Sequence, residues 1–222
     1  MEPPMSREPL PWICAAAIAA ELLTMNQLMG ALSVVLMFTM YLRPSELLEA
    51  VTEQLIAPVP ALGHGYAHWT LIVRPRELDR PAKNRAFDQS VPLDRPELQW
   101  IGHLLRLLKK RQRPMDLLLH LNLNEFHKMF TEAAARCGLS CLQPVPYQLR
   151  HGGVSHDLQE NFRDLMSAKA RGRWIADSSM RRYEKHGLLA KQLQRLPAPV
   201  MARCQVAALH LEKHFRKCGG RM

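Results

Sequence analysis

The chain has 222 residues, and its 30 Lys and Arg against 20 Asp and Glu give a formal net charge of +10 at pH 7. This length corresponds to one domain with its own core, and a hydrophobic content of 47% excludes a wholly disordered chain. The positive excess indicates a polyanionic partner, either nucleic acid or an acidic membrane surface. Residues 1–60 have two Lys or Arg and six Asp or Glu, whereas residues 121–222 have 17 and 8, so the binding face is expected late in the chain.

The predicted elements begin after a Pro-rich lead over residues 1–11. The stretch from Trp12 to about Tyr41 is rich in Ala, Leu and Met and predicts two helices. Inside it, Leu22 to Leu42 is a run of 21 uncharged residues, which is long enough for a membrane helix. Its polar residues and a break near Asn26 favour two packed core helices instead. A short third helix is predicted to start near Pro44.

A small sheet is predicted next, and helices follow it. Residues 67–73 are rich in β-forming residues, residues 86–93 alternate weakly, and a basic turn that includes Lys83 joins the two segments. Pro92 limits the second strand to an edge or an end of the sheet. Helices are then predicted over residues 97–110, 125–137, 147–158, 160–171, 178–186 and 203–217. The predicted fold class is therefore α+β, mainly α with a small antiparallel β-sheet.

The cysteines do not indicate a disulfide framework, because there are five of them and they are widely spaced. A reducing, intracellular compartment is the better prediction. Cys204, His210, His214 and Cys218 are the one group with a resemblance to metal ligands, since the two His are four residues apart on a helix. Their spacing matches none of the common zinc patterns, so an amphipathic terminal helix is favoured, and neither a metal nor another cofactor is predicted.

Five residues in four separated segments suit one reaction on a phosphodiester. In chain order they are Arg43 within YLRPSELL, Lys83 in the predicted turn, Arg150 within YQLRHGGVSHDL, and Trp174 and Tyr183 within RGRWIADSSMRRY. Cutting a phosphodiester without a metal requires a nucleophile, cations on the phosphate oxygens and a proton for the leaving oxygen. Tyr, Arg and Lys side chains can supply these three functions.

These segments resemble, in their order, the catalytic domain of the tyrosine recombinase (phage integrase) family, over about residues 12–190. YLRPSELL resembles the first-arginine box of that family, and YQLRHGGVSHDL resembles the second-arginine box, where His-x-x-Arg is usual. RGRWIADSSMRRY resembles the terminal box, in which a His or Trp precedes the nucleophilic Tyr by nine residues, as Trp174 precedes Tyr183. The resemblance implies double-stranded DNA as the partner, a mobile-element type of enzyme and, in a eukaryote, a nuclear location.

The resemblance also implies a role for each residue. Tyr183 would attack phosphorus and form a covalent 3′-phosphotyrosyl link. Arg43 and Arg150 would hold the phosphate oxygens, for which the planar fork of a guanidinium is suited. Lys83 would give a proton to the departing 5′ oxygen, and Trp174 would donate its indole N–H to a phosphate oxygen.

Three further residues are expected to support the site. Glu46, three residues after Arg43, resembles the acidic residue of the family and would orient the active-site groups. Tyr147 occupies the position of the first His of the His-x-x-Arg box, and a phenol can donate a hydrogen bond but is a poor base near neutral pH. His151 is next to Arg150 in sequence, so on a helix it points elsewhere and cannot simply replace that His.

The expected domain organisation is a lead over residues 1–11, a catalytic-like domain over 12–190, and a linker with a C-terminal helix over 191–222. Family members usually have a separate helical DNA-clamping domain first, and the sequence predicts none here. The C-terminal helix has an apolar side, which either docks on its own domain or on a neighbour. The second arrangement would let the protein self-assemble on DNA.

The leading prediction is thus a site-specific recombinase or integrase that breaks and rejoins DNA. Three alternatives remain open at this point. The chain could be a catalytically impaired DNA-binding remnant of the same fold, because Tyr147 alters the second-arginine box. It could be a nicking-closing enzyme similar to type IB topoisomerases, which use the same Tyr, Arg and Lys chemistry. It could also be a basic membrane-associated protein that uses the run from Leu22 to Leu42.

Overall fold

The computed structural model describes residues 8–74, 89–175 and 187–219. These residues form ten α-helices and one three-stranded antiparallel sheet, so the prediction of a mainly helical α+β chain is confirmed. The helices are α1 (Trp12–Thr24), α2 (Leu28–Thr39), α3 (Pro44–Leu48), α4 (Ile101–Arg111), α5 (Leu123–Arg136), α6 (Tyr147–Gln159), α7 (Leu165–Gly172), α8 (Gly187–Gln194), α9 (Ala198–Leu209) and α10 (Leu211–Gly219).

The centre of the core is the antiparallel pair α1 and α2. The buried residues of α1 are mostly alanines, whose small side chains let α2, α5, α9 and α10 approach it closely. The pair is interrupted as predicted, because Asn26 adopts a left-handed backbone with φ 57° between the two helices. Within the described ranges, no helix is long and apolar enough to span a membrane.

The sheet has the strand order β1 (Leu55–Ile56), β2 (Thr70–Val73) and β3 (Gln89–Pro92). Leu71 in the central strand pairs with Leu55 on one side and with Val91 on the other, and all three side chains are buried. The strands predicted at 67–73 and 86–93 are therefore present; β2 begins at Thr70, and β3 ends at Pro92. The strand β1 was not predicted, because two residues are too few to show a pattern. The turn with Lys83 lies outside the described residues.

Two adjacent glycines allow α6 to pack directly against the backbone of other segments. A Cβ atom on Gly152 would lie 2.1 Å from the carbonyl oxygen of Leu10, and one on Gly153 would lie 1.9 Å from that of Phe38. Only glycine tolerates such contacts. The end of α2 is thereby held against α6, close to Arg150.

Three predicted helix boundaries were wrong. The helix expected from residue 97 is preceded by a 3₁₀ turn, Pro96–Leu98, and α4 begins at Ile101. The helix expected from residue 160 begins at Leu165, because the Asp164 carboxylate accepts a hydrogen bond from the Ser167 N–H at 2.6 Å and caps the helix there. The single helix expected at 203–217 is two helices, α9 and α10, which meet at His210. The helix predicted at 178–186 lies outside the described residues.

The C-terminal helices pack on α1 of their own chain. Leu211 and Phe215 of α10 and Cys204 of α9 are buried in the common core, whereas Leu209 at the end of α9 is 78% exposed. The expected boundary between residues 190 and 191 falls within α8. Self-assembly through this segment stays a prediction, and it would require α9 and α10 to exchange their present contacts for those of another copy.

The close approach at α6 yields a stability prediction. Gly153→Ala should destabilise the fold by about 3 kcal/mol or more, because the added methyl group meets a backbone oxygen that cannot rotate away. Gly65→Ala is the matched control, since nothing lies within 4 Å of its Cβ position, and we expect a change below about 0.5 kcal/mol. Urea denaturation measures both variants. Equal stability of G153A and wild type would show that the contact is not present in solution.

Candidate active site

The first-arginine box forms the N-terminal turn of α3. Pro44 occupies the first helical position, where a missing N–H is tolerated. The backbone N–H of Arg43 donates to Glu46 Oε2 at 2.7 Å, and Arg43 Nη1 lies 2.5 Å from Glu46 Oε1. The Arg43 side chain is 20% exposed, whereas that of Glu46 is only 2% exposed. This turn therefore buries a carboxylate that requires cationic partners.

The second-arginine box brings Arg150 to the same carboxylate. Its fully buried guanidinium places Nη1 3.6 Å from Glu46 Oε2. Nη1 also donates to the carbonyl of Tyr41 at 2.5 Å, and Nη2 donates to the carbonyl of Gly172. The buried Nε–H of Arg150 has no hydrogen-bond partner in the described part of the chain. Since buried donors are nearly always bonded, this N–H is available for a further acceptor oxygen.

A third arginine, Arg173, completes the group, and no role could be assigned to it from the sequence. It follows α7 directly, and its Nη2 lies 2.5 Å from Glu46 Oε2. Its Nη1 donates to the carbonyl of Arg171 at 3.1 Å. The one sequence signal for Arg173 is its place immediately before Trp174 in the terminal box. We name Arg43, Glu46, Arg150 and Arg173 the Glu46 cluster.

The Glu46 cluster is positively charged, because three guanidinium groups surround one carboxylate. Burial acts to raise the pKa of Glu46, but the three arginines outweigh it and hold that pKa below its usual value. Burial, followed by the charge of Arg173, lowers the pKa of Arg150 to about 10. Glu46 and Arg150 are therefore both ionised at neutral pH. The three guanidinium groups give the cluster a formal excess of positive charge over its carboxylate.

Aromatic side chains lie over and beside Arg150. The guanidinium carbon of Arg150 is 4.5 Å from the centroid of the Trp174 ring, a distance typical of a cation–π contact. Tyr147 and His151 are one turn apart on α6, and their rings meet edge to face with centroids 5.0 Å apart. Tyr147 precedes Arg150 by three residues on α6 and lies near its guanidinium. Trp174 and Tyr147 thus add two polar aromatic groups to the cluster.

The structure brings together most of the predicted site residues. Five of them form or adjoin the Glu46 cluster, namely Arg43, Glu46, Tyr147, Arg150 and Trp174. A sixth, His151, contacts Tyr147. The predicted nucleophile Tyr183 and the predicted general acid Lys83 lie outside the described residues. The described part of the predicted site therefore comprises its arginines, Glu46, Tyr147, His151 and Trp174.

A second polar group, which we name the Asp157 cluster, is joined to the first through Tyr41. Its members are Tyr41, Asp94, Arg95, Asp157, Arg163 and Arg171. The carbonyl of Tyr41 accepts from Arg150, while its hydroxyl donates to Asp157 Oδ2 at 2.5 Å. Burial and then the charge of Asp157 raise the pKa of Tyr41, so that its hydroxyl remains a donor.

Arg171 connects this second cluster to the sheet. Its Nη2 donates to the carbonyl of Thr39 at 2.9 Å and to that of Pro92 at 2.7 Å. Thr39 ends α2 and Pro92 ends β3, so one buried side chain ties the helical body to the last strand. The Asp157 cluster therefore holds the scaffold on which Arg43 and Arg150 are placed.

The arrangement is suited to binding an anion. Arginine forks bind phosphate and carboxylate oxygens through paired, charge-assisted hydrogen bonds. Among the residues that the structure describes, no three His, Cys, Asp or Glu side chains come together in a way that could hold a metal ion. This finding includes Cys204, His210, His214 and Cys218, which therefore do not form such a group.

No protein-family model, no curated protein and no solved structure matches the chain. The resemblance to tyrosine recombinases therefore stays a prediction from the motifs. The functional interpretation depends on the residues of the site and on their geometry.

The Glu46 cluster yields the second prediction. Glu46→Gln removes the carboxylate that three buried or half-buried arginines share, and we expect it to lower stability at pH 7 by about 3 kcal/mol. The pKa of Glu46 is lower in the folded than in the unfolded chain. Its contribution is therefore present above the unfolded pKa and is lost as the pH falls through the folded pKa. The stability gap between wild type and E46Q should accordingly close below about pH 4.

Glu132→Gln is the control for this experiment. Glu132 also pairs with an arginine, at 2.7 Å, but its side chain is 47% exposed. Such surface pairs contribute less than about 1 kcal/mol. Urea denaturation between pH 3 and pH 7 measures all three proteins. A similar loss in E46Q and E132Q would contradict the central role of Glu46.

Proposed function

We propose that the chain is a DNA breaking-and-rejoining enzyme of the tyrosine recombinase type, acting through a covalent 3′-phosphotyrosyl intermediate. The observation that carries this proposal is the meeting of three distant motifs at one carboxylate. Arg43, Arg150 and Trp174 come from the first-arginine, second-arginine and terminal boxes, and all belong to or cover the Glu46 cluster. Unrelated surface arginines have no reason to converge in this way, whereas a phosphate site requires it.

In the proposed reaction, Tyr183 is the nucleophile. Its oxygen bonds to the scissile phosphorus, and the bond from phosphorus to the 5′ oxygen breaks. Lys83 gives its proton to that departing oxygen, which leaves as a hydroxyl. A free phenol has a pKa of about 10, so the positive Glu46 cluster favours the attacking phenolate, and the phenol proton passes to solvent water. The phosphotyrosyl link conserves a high-energy ester, and the reverse attack by a 5′ hydroxyl rejoins the strand.

Two arginines neutralise the phosphate, and they differ in how accessible they are. Arg43 is the accessible one, and we assign it direct contact with a non-bridging oxygen. Arg150 lies behind the Trp174 ring, and its Nε–H has no acceptor in the ranges that the structure describes. A phosphate oxygen reaches Arg150 once Trp174 moves off the guanidinium. Trp174 can then donate its indole N–H to the same phosphate, which couples substrate entry to completion of the site.

Tyr147 contributes a hydrogen-bond donor in place of a base. The Tyr147 hydroxyl can stabilise the transition state by donating a hydrogen bond to a phosphate oxygen. Proton transfer then depends on Lys83 and on the Tyr183 hydroxyl itself. The partner is double-stranded DNA, and the concentration of positive charge after residue 60 supplies its sequence-independent contacts.

A second candidate function is a DNA-binding remnant that no longer cleaves. The observation in its favour is the state of Arg150, whose two terminal nitrogens donate to the backbone carbonyls of Tyr41 and Gly172. A guanidinium that is used to support the fold can remain after catalysis has been lost. The two candidates differ in one property, the formation of a covalent adduct.

The third prediction tests the nucleophile with nicked suicide duplexes. The buffer contains EDTA, because the proposed mechanism uses arginines in place of a metal. Wild type should form a protease-sensitive protein–DNA adduct. Tyr183→Phe should reduce the adduct at least about 100-fold, since it removes the attacking oxygen, while duplex binding stays within about 2-fold. The control is Tyr66→Phe, which alters a tyrosine that is 59% exposed in a surface loop. An adduct formed by Y183F would show that another residue attacks.

The wild-type result also separates the alternatives. Salt-dependent duplex binding without an adduct would support the remnant. An adduct accompanied by relaxation of supercoiled DNA, with no exchange between two duplexes, would support a nicking-closing enzyme. Wild-type protein that neither binds duplex nor forms an adduct would contradict every DNA function considered for this chain.

The fourth prediction concerns the arginine fork. Arg43→Lys keeps the charge but cannot make paired hydrogen bonds to a phosphate, so the adduct should form at least about 10-fold more slowly. Arg113→Lys is the matched control, because Arg113 also pairs with an acid three residues later but its side chain is 88% exposed. The rates are measured at saturating protein. Equal rates for R43K and R113K would show that Arg43 acts through its charge alone and not through paired hydrogen bonds.

A further inference from the structure

Arg173 is the member of the Glu46 cluster that no substrate can reach directly. Its side chain is 3% exposed, and it is enclosed by Glu46 and by the carbonyls of Arg171 and Tyr41. Any effect of Arg173 on a bound phosphate must therefore pass through its neighbours. The relevant neighbour is Glu46, because its carboxylate is shared among the arginines.

The distances show how Glu46 is shared. Its Oε1 binds Arg43 Nη1 at 2.5 Å, and its Oε2 binds Arg173 Nη2 at the same distance. Arg150 Nη1 is farther from Oε2, at 3.6 Å, which is an electrostatic contact but not a hydrogen bond. Glu46 thus compensates Arg173 and Arg43 most strongly and Arg150 least.

The backbone at Arg173 fixes this arrangement. Arg173 has φ 58° and ψ 37°, a left-handed conformation that is unfavourable for a residue other than glycine and that ends α7. The bend brings the Trp174 ring onto Gly172, where a Cβ atom would lie 1.5 Å from the ring. The same bend therefore directs Arg173 to Glu46 and Trp174 to Arg150.

We propose that Arg173 is a positioning residue that keeps Glu46 from neutralising Arg150. This inference rests on the proposed function for the identity of the anion, which is a DNA phosphate. With Arg173 in place, Glu46 Oε2 is occupied, the charge of Arg150 is compensated only in part, and its Nε–H has no acceptor among the described residues. Without Arg173, Oε2 loses its closest cation, and a movement of about 1 Å would let Arg150 form the ion pair in its place.

The test is a double-mutant cycle on adduct formation with suicide duplexes at saturating protein. Arg173→Met should slow the adduct at least about 30-fold while duplex binding stays within about 3-fold. The variant R173M/E46Q removes the carboxylate that traps Arg150, so it should react at least about 5-fold faster than R173M alone. Arg173→Lys keeps a cation for Glu46 and should retain most of the rate. A merely structural role predicts that the double variant is slower than R173M.

Arg95→Met is the matched control. Arg95 is also buried and lies 3.2 Å from an acid, Asp157, but it belongs to the other cluster. Thermal melts establish the folded fraction of each protein, and rates are compared per folded molecule. If R173M unfolds, the comparison of R173K with the double variant gives the same test. Rates of R173M and R95M that are equal, or a double variant no faster than R173M, would overturn the proposal.

A binding measurement separates failure of this inference from failure of the proposed function. Calorimetric titration with sodium tungstate, a tetrahedral dianion, measures the anion affinity of the cluster at constant ionic strength. R173M should bind tungstate at least about 10-fold more weakly than wild type, and R173M/E46Q should recover most of the loss. This pattern in a wild type that forms no adduct would uphold Arg173 and contradict the enzymatic function. Equal tungstate affinity in wild type and R173M would overturn the role of Arg173 whatever the adduct assay shows.

Discussion

One buried carboxylate must accommodate three guanidinium groups, and the rest of the site depends on that constraint. The Glu46 side chain is 2% exposed, and the arginines around it come from the start of α3, from the first turn of α6 and from the end of α7. In a poorly solvated environment the three cations would repel one another without it. The carboxylate therefore joins segments that are distant in sequence. It also leaves Arg150, the farthest of the three arginines, with the weakest compensation of its charge.

The scaffold supports this arrangement through backbone carbonyls. The carbonyl of Tyr41 accepts a hydrogen bond from Arg150, and its hydroxyl donates one to Asp157, so Tyr41 connects the two polar clusters. Arg171 binds the ends of α2 and β3, and Gly153 lets α6 approach Phe38. These contacts limit the movement of Arg150 relative to α3. A phosphate site with such rigid support needs little reorganisation when charge develops in the reaction.

The same rigidity makes the function depend on Trp174. Its ring covers the charge that the proposed reaction requires, and it lies one residue beyond the bend at Arg173. In an enzyme, substrate entry displaces the ring and completes the site. In a DNA-binding remnant, the ring and the two carbonyls keep Arg150 as a structural cation. Both interpretations use the same contacts, and they differ in the mobility of one side chain.

The sequence alone determined the features that have a local pattern. Helical periodicity located most helices, and polar residues near Asn26 marked the break between α1 and α2. The resemblance of two segments to boxes of the recombinase family singled out Arg43, Glu46 and Arg150. Only the tertiary structure revealed the pairing of Arg173 with Glu46, the burial of Arg150, the short strand β1 and the docking of α9 and α10 on α1. The physical reason is that periodicity and capping act between neighbours in the chain. The partner of a buried charge is instead decided by which distant segments pack together, and one residue type, arginine, can serve there as ligand, support or surface group.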